Sequence, residues 1–393
     1  MRKHRPDFTI LLLTVGLMAA GLIIVYAIGP RAAQSEGLPT DFYFSGHLKS
    51  VFAAIIAILV GAFIPYKNYG KIGKWSVIIA LALCFLTGLL GRAGVESLII
   101  CDEGACRAIR LPIVGSLQPA ELLKLAVLFY GSWLVADRRK NKQLDKSEFW
   151  IPMIALIAAI AFSVAFLEKD LGSTVVIFAM LGVMMFVGEM PWKQLGIFGL
   201  VIAICAVLLV QIAPHRLTRL ASFSGEGDDF HIMNSLIGFG TGGAFGVGLG
   251  NSVQTTGYLP EAPSDSIFSV VGEAWGFVGA VAILVVYAAL MYRIIDVSRK
   301  TGDEERSFFA LGVFAWIFAH VIINVGGMLA LIPMKGITLP FLSHGGSSMM
   351  FVALAIGVIL QISSWTKREV IDEDSSSRRG QRGTRYAGSR RRT

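Results

Sequence analysis

Leu339-Pro340-Phe341-Leu342-Ser343-His344-Gly345-Gly346-Ser347-Ser348 stands between two long apolar runs, Ser307–Leu331 before it and Ser347–Trp365 after it. Each run is long enough to cross a hydrocarbon layer of about 30 Å as a helix. The stretch between them is therefore a turn held at a membrane face. Pro340 interrupts helix, and the glycine pair lets backbone approach backbone or a ligand closely. The serines put hydroxyls where few other polar groups stand. On these residues alone the stretch is either a tight connection between two spans or a binding rim. With Asn324 and Pro333 it forms the pattern N-x8-P-x2-G-x2-LP-x2-S-x-GGSS.

The remainder of the 393-residue chain repeats the apolar theme. It is 54% hydrophobic and 16% charged, with a mean hydropathy of +0.66, beyond the apolar share of ordinary soluble domains. Ten runs of spanning length are expected, at about Phe8–Ile28, His47–Tyr66, Trp75–Gly91, Pro119–Ala136, Phe149–Leu167, Leu171–Met190, Leu195–Ala213, Ile267–Tyr292, Ser307–Leu331 and Ser347–Trp365. The fold class is an all-α polytopic membrane protein with a large loop, 214–266, between the seventh and eighth helices. Residues 1–366 form the transmembrane domain. The tail 367–393, rich in Arg, Gly and Ser, is expected to be disordered, and serves as a basic topology anchor or a docking site for a cytoplasmic partner.

Basic residues set the orientation. Arg2, Lys3 and Arg5, then Lys67, Lys71 and Lys74, the Arg138–Lys146 cluster, Lys193, the Arg293–Arg306 cluster and the tail all fall on one side. By the positive-inside rule both termini are cytoplasmic, and the net charge of +8 needs no nucleic acid to explain it. Cys84 and Cys205 lie in spans as small apolar fillers. Cys101 and Cys106 fall in an outside loop at a spacing that can close a disulfide. No His or second Cys pair accompanies them to make a zinc site.

The informative polar residues gather on the opposite, extracytoplasmic face. The loop 214–266 opens with His215-Arg216-Leu217-Thr218-Arg219 and runs to a glycine-rich stretch, Gly240–Gly250. That stretch lacks the strand–helix context and Lys-Ser/Thr ending of a nucleotide-phosphate loop, so it is expected to be close-packed backbone and no nucleotide is implied. Gly257-Tyr258-Leu259-Pro260-Glu261-Ala262-Pro263-Ser264-Asp265-Ser266-Ile267-Phe268 follows, then Gly272, Glu273 and Gly276. Asp265 suits the N-cap of the next helix. Glu273 lies about 12 Å further in, two helical turns from Asp265. In Gln118-Pro119-Ala120-Glu121-Leu122-Leu123-Lys124, proline opens a helix, and Glu121 and Lys124 share a face where they pair. Asp170-Leu171-Gly172-Ser173 and Arg107 complete the set.

Together these segments resemble the FtsW/RodA/SpoVE family, the SEDS proteins that polymerise peptidoglycan, over nearly the whole chain to Trp365. The Asp265 segment resembles the family's YLPEAHTDFIFA, departing at Pro263, Ser264 and Ser266, and at Ala274 for a second acid. The Gln118 segment resembles QPSE-x-x-K with Ala120 for serine. Asp170–Ser173 resembles PDLGT with Lys169 for proline. Arg107 takes an arginine position but is followed by Ala108 where tryptophan is usual. His344 replaces a common tyrosine. Gly-Asn-Ser-Val-Gln at 250–254, Pro260-Glu261-Ala262 and Met334-Lys335-Gly336-Ile337-Thr338-Leu339-Pro340 are closer to the FtsW branch than to RodA.

The resemblance implies a peptidoglycan glycosyltransferase acting on lipid II, a disaccharide-pentapeptide on a polyprenyl diphosphate, during septal division or, in a RodA-like role, side-wall elongation. Transfer inverts the anomeric centre. Asp265 is then the catalytic residue, either the general base for the acceptor hydroxyl or a metal ligand. Glu121, Lys124, Arg107, Asp170, Arg216, Arg219, Glu261, Lys335, Ser343 and Ser347 are candidate substrate-binding residues, and Gln118, Pro260, Glu273, Asn324, Pro340, Gly345 and Gly346 support them. A divalent cation, magnesium or manganese, would neutralise the leaving diphosphate. The implied partners are a class B penicillin-binding protein and other divisome proteins. The rivals are a lipid II flippase, favoured by discontinuous helices and mid-membrane polar groups, and a scaffold without catalysis.

Overall fold

In lipid a backbone polar group has no water to bond, so a spanning segment must satisfy its own N–H and C=O groups, and each apolar run becomes a helix. The computed structural model describes residues 5–64, 69–95, 97–102, 105–111, 115–211, 230–254, 258–333 and 336–366. The tail from 367, Arg216, Arg219 and Lys335 lie outside the described residues. The helices are α1 (Phe8–Ser35), α2 (Phe42–Phe63), α3 (Tyr69–Arg92), α4 (Pro119–Lys140), α5 (Ser147–Ile160), α6 (Leu171–Val187), α7 (Trp192–Gln211), α8 (Phe230–Gly242), α9 (Ile267–Lys300), α10 (Glu304–Met328) and α11 (Gly346–Ser363). Eight helices, counting α5 with its extension, are long and apolar enough to span a membrane; α6 and α7 are shorter apolar helices at the remaining expected positions. The protein is thus a polytopic all-α membrane protein, as the sequence predicts.

Four local features differ from the expectation. Between α3 and α4 the described residues include a three-stranded antiparallel sheet in the order β1 (Ile99–Asp102), β2 (Ala105–Leu111), β3 (Gly115–Leu117). Cys101 and Cys106 face each other across β1 and β2 and are joined as a disulfide. Within the expected loop 214–266 lies a helix, α8. α5 continues as a π-helical stretch, Ala161–Leu167. Lastly, α9 is broken at Gly276, whose φ of 68° and ψ of −168° no residue with a Cβ adopts readily.

The glycine stretch explains that break. Gly246, itself at φ 81°, packs so tightly that an added Cβ would meet the Ala274 carbonyl at 2.2 Å, and one on Gly276 would meet Gly246 N at 2.3 Å. Backbone lies directly on backbone there. α4, α10 and α11 are the most enclosed helices, while α1, α2 and α3 leave much of their apolar surface facing outward, as lipid-facing helices do. α11 packs along α2, and α10 lies against α4, α6 and α9. This arrangement gathers the N-termini of α4, α6, α9 and α11 at one end of the bundle.

Candidate active site

At that end the first four N–H groups of each helix have no partner within the helix, and they carry partial positive charge. The sequence supplies side chains to meet them. Asp170 caps α6, its Oδ1 accepting from Ser173 N–H at 2.9 Å. Its Oδ2 accepts from Gln118 Nε2 at 2.9 Å. The Gln118 backbone N–H in turn donates to Ser347 Oγ in the first turn of α11, at 3.1 Å. Three helix ends are thus tied by one acid, one amide and one hydroxyl.

Below them, Pro119 opens α4 and sets Glu121 and Lys124 three residues apart on one face. Both are buried, with Lys124 Nζ 2.7 Å from Glu121 Oε1. A buried ion pair stabilises little unless its remaining donors and acceptors find partners. Lys124 finds one in His320 Nε2, 3.1 Å away on α10.

Asp265 lies in the turn before α9. It does not cap that helix, contrary to the expectation from sequence. Ser266 takes the N-cap position, without a side-chain capping bond. Instead the turn is braced from several directions. Ser266 Oγ donates to the Pro260 carbonyl at 2.9 Å, and His344 N–H donates to the Pro263 carbonyl at 2.8 Å. Asn324 Nδ2 donates both to the Asp265 carbonyl, at 2.6 Å, and to the Ile337 carbonyl, at 2.7 Å. The Asp265 loop and the Pro/Gly/Ser loop are therefore held in register by one buried amide. The half-buried carboxyl of Asp265 faces Gly336, where a Cβ would stand 2.7 Å from Oδ2. Burial pushes its pKa up to about 7, Glu261 adds to the rise, and Arg107 opposes it.

These elements enclose a polar cavity of about 270 Å³, lined by Gln118, Glu121, Lys124, Asp170, His320 and Ser347 among others, with Ser264 and Gly336 forming the wall next to Asp265. His344 also lines it, and burial lowers its pKa, so the ring is neutral. Lys124 uses two of its three N–H groups on Glu121 and His320, which leaves one for a ligand in the cavity. The space thus offers a cation, helix N-termini and hydroxyls next to a carboxyl of raised pKa. That combination suits an anionic group such as a diphosphate and removal of a proton beside it.

Other candidates sit elsewhere. Arg107, on β2, is half-buried and reaches toward the Lys169 carbonyl at 3.5 Å. Ser343 points inward, its Oγ accepting from Leu339 N–H at 2.9 Å, and so braces the turn. Pro340 contributes its carbonyl to Tyr287 Oη at 2.6 Å. Gly345 and Gly346 form the entry to α11. Glu261 is exposed, at φ 49°, and lines a second cavity with Glu36. Glu273 faces away, accepting from Ser252 Oγ, from Val253 N–H at 2.8 Å and from Gln254 N–H at 3.2 Å. Sequence reasoning missed His320 and the Thr338 carbonyl beside it. The signal was present, since Trp316, His320 and Asn324 recur every four residues and mark one polar face on an apolar helix.

The model of the FtsW/RodA/SpoVE family, described as cell cycle proteins, matches residues 8–368. The chain belongs to this family. It is 32% identical over 371 residues to stage V sporulation protein E of Bacillus subtilis, covering 93% of this chain and 99% of that one. It is 34% identical over 381 residues to a probable peptidoglycan glycosyltransferase FtsW of Nitrosomonas europaea, covering 93% and 94%. Among solved structures, a chain from a peptidoglycan synthase complex that coordinates polymerisation and crosslinking shares the fold, with a TM-score of 0.72 at 20% identity over 91% of this chain and 97% of that one. The rod shape determining protein RodA of Thermus thermophilus shares it too, with a TM-score of 0.62 at 20% identity, over 93% and 98%.

Proposed function

We propose that this chain is a peptidoglycan glycosyltransferase that polymerises lipid II into β-1,4 glycan by inverting transfer at the extracytoplasmic face of the bacterial inner membrane. Both termini are cytoplasmic in this reading, which the distribution of Lys and Arg supports. Family membership and the naming of the Nitrosomonas europaea relative as a probable peptidoglycan glycosyltransferase support the reaction class. The observation that carries it is Asn324, whose amide fixes the Asp265 loop against the loop bearing Gly336 and Ser347 and so holds a carboxyl of raised pKa next to Gly336, which lines the same cavity as Lys124.

In the proposed reaction the donor's diphosphate lies in the cavity against the free N–H of Lys124 and the helix N-termini, which stabilise the charge that develops as it leaves. Asp265 takes the proton of the acceptor hydroxyl as it attacks the anomeric carbon from the opposite face. A base with a pKa near 7 is ionised in useful proportion at neutral pH. Ser347 and Gln118 orient the donor, and the polyprenyl tail runs out into lipid between helices. Arg216, Arg219 and Lys335 are further candidate cations for the diphosphate.

Among the described residues no three His, Cys, Asp or Glu side chains gather into a metal cage. In the alternative role for Asp265, its carboxylate would hold a divalent ion such as magnesium, which prefers few carboxylates. Bound there, it would neutralise the leaving diphosphate. A class B penicillin-binding protein is the proposed partner, supported by the fold shared with a chain of a complex that couples polymerisation to crosslinking. Septal division is the favoured setting, with FtsW-like loop motifs as its support.

The test is to purify the chain with its cognate transpeptidase, supply labelled lipid II with magnesium or manganese, and resolve the products. Native protein is expected to give glycan ladders and Asp265→Asn none. Ladders from both would move the base elsewhere. Ladders from neither, with the partner bound, would favour a transporter or a scaffold.

A further inference from the structure

His320 is a polar residue of α10 that the reaction above leaves unused, and it is buried in the bundle. Its ring is bonded at both nitrogens. Nδ1 lies 2.9 Å from the Thr338 carbonyl, which only accepts, so Nδ1 carries the proton. Nε2 therefore holds the lone pair, and the Trp316 Nε1–H donates to it at 3.1 Å. The Lys124 ammonium, also 3.1 Å from Nε2, shares that lone pair in a three-centre bond. A neutral imidazole in this tautomer links a cation on α4 to the backbone of the loop that leads into α11. The indole of Trp316 also lies beneath that cation, with Nζ 5.7 Å from the ring centre.

We infer that His320 is a positioning residue, which fixes the Lys124 ammonium relative to the Thr338–Ser347 loop so that its free N–H points at the donor's leaving group. The inference rests on the reading of Lys124 as a cation for that group. Without the imidazole, Glu121 would be the one hydrogen-bond partner left to Lys124, with the Trp316 ring beneath it. A single i,i+3 contact leaves the long side chain free to turn toward its carboxylate and away from the cavity. The link also makes cation and loop move as one body, because the same ring touches both. Trp316 fixes the ring plane and so the direction of the lone pair.

The experiment compares glycan polymerisation rates of the native complex, His320→Phe, His320→Gln, Lys124→Met and the double variant His320→Phe/Lys124→Met, over a range of lipid II concentrations, with thermal unfolding recorded for each. His320→Phe is expected to lower kcat about a hundredfold with KM within about twofold, the size of loss that a misplaced group causes. His320→Gln, whose amide both accepts and donates, is expected to recover most of that loss. The double variant is expected to be no worse than Lys124→Met alone, since a residue acting through another adds nothing once that other is gone. If His320→Phe unfolds early, His320→Asn, too short to reach both partners, takes its place in the cycle. Losses that multiply in the double variant, or a native rate from His320→Phe beside a dead Lys124→Met, would overturn the inference. A native rate from Lys124→Met would instead overturn the role given to Lys124, and no ladder from the native complex would overturn the polymerase reading.

Discussion

Replacing Asn324 by Asp changes one atom and should separate the two loops that build the site. Asn324 is buried, and its Nδ2 spends both hydrogens, on the carbonyls of Asp265 and Ile337. Ionised Asp offers no donor, so both carbonyls lose their partner and face a negative charge instead. Leaving a buried acceptor unmet costs about 1–3 kcal/mol. The Ile337 carbonyl bond is fully buried and the Asp265 one half-buried, so we expect a loss of about 3 kcal/mol for Asn324→Leu, which removes donors without adding charge. Asn324→Asp should lose at least as much at pH 8. Near pH 5 a protonated carboxyl can restore one of the two bonds, and part of the stability should return. Catalysis should suffer more than stability, because a shift of about 1 Å in a reacting group is enough to cost about a hundredfold. The assay is thermal unfolding of the purified complex at pH 5 and 8, paired with the lipid II ladder. Native ladders and native unfolding at pH 8 from Asn324→Asp would refute the idea that this amide holds the Asp265 loop in register.

Asp265→Asn should abolish ladders and also alter the pH profile of stability, measured with EDTA present. The raised carboxyl pKa of about 7 means the folded chain keeps a proton that the unfolded chain releases near pH 4. Native stability therefore falls from about pH 4 to pH 7 and is level above, while the variant lacks this fall; parallel profiles would contradict it. Gly276→Ala should cost about 3–5 kcal/mol, from a disallowed backbone conformation and a Cβ set 2.3 Å from Gly246 N, and should be seen as loss of folded protein in detergent. Replacing Cys101 and Cys106 together by Ser should cost about 2 kcal/mol through the short loop they close, read as faster amide exchange in β1 and β2.

Span positions were legible because a bilayer imposes one rule on every segment, and residues such as Pro119 and Ile267 start helices where the apolar runs begin. The Glu121–Lys124 pair was legible for the same reason, since helical spacing alone sets those side chains on one face. The sheet at 99–117 was not, because its pairing depends on contacts between strands that no local period announces, although Ile-Ile-Cys and Ala-Cys-Arg-Ala-Ile-Arg-Leu are strand-forming in hindsight. α8 was hidden inside a loop by its own glycines and by length, since 13 residues fall short of a span. The direction of Ser343 was also hidden. A serine in a turn bonds either a ligand or its own backbone, and only the fold shows that Leu339 N–H claims this one.

The break in α9 bears on the choice between an enzyme and a carrier. Gly276 lies nine residues in from Ile267, about 14 Å along the helix. Carriers use such mid-membrane breaks to offer loose backbone groups to an ion or substrate. Here the chain itself takes them. Phe277 N–H donates to the Gly243 carbonyl at 2.9 Å and Val278 N–H to the Ala244 carbonyl at 3.0 Å, while Glu273 and Ala274 carbonyls accept from Val247 and Gly248 N–H, each at 3.0 Å. The Glu273 carboxylate is filled by Ser252, Val253 and Gln254. A break whose donors and acceptors are met by a neighbouring segment is a splice between two stretches of backbone, and it has nothing left with which to bind cargo. The Lys124 ammonium, with one N–H to spare, lines the polar cavity at the end of the bundle where α4, α6 and α11 begin. A cation with bonding capacity to spare in a cavity at the end of the bundle suits chemistry on a substrate anchored in that leaflet, whereas passage through the membrane would require such groups along the path between faces.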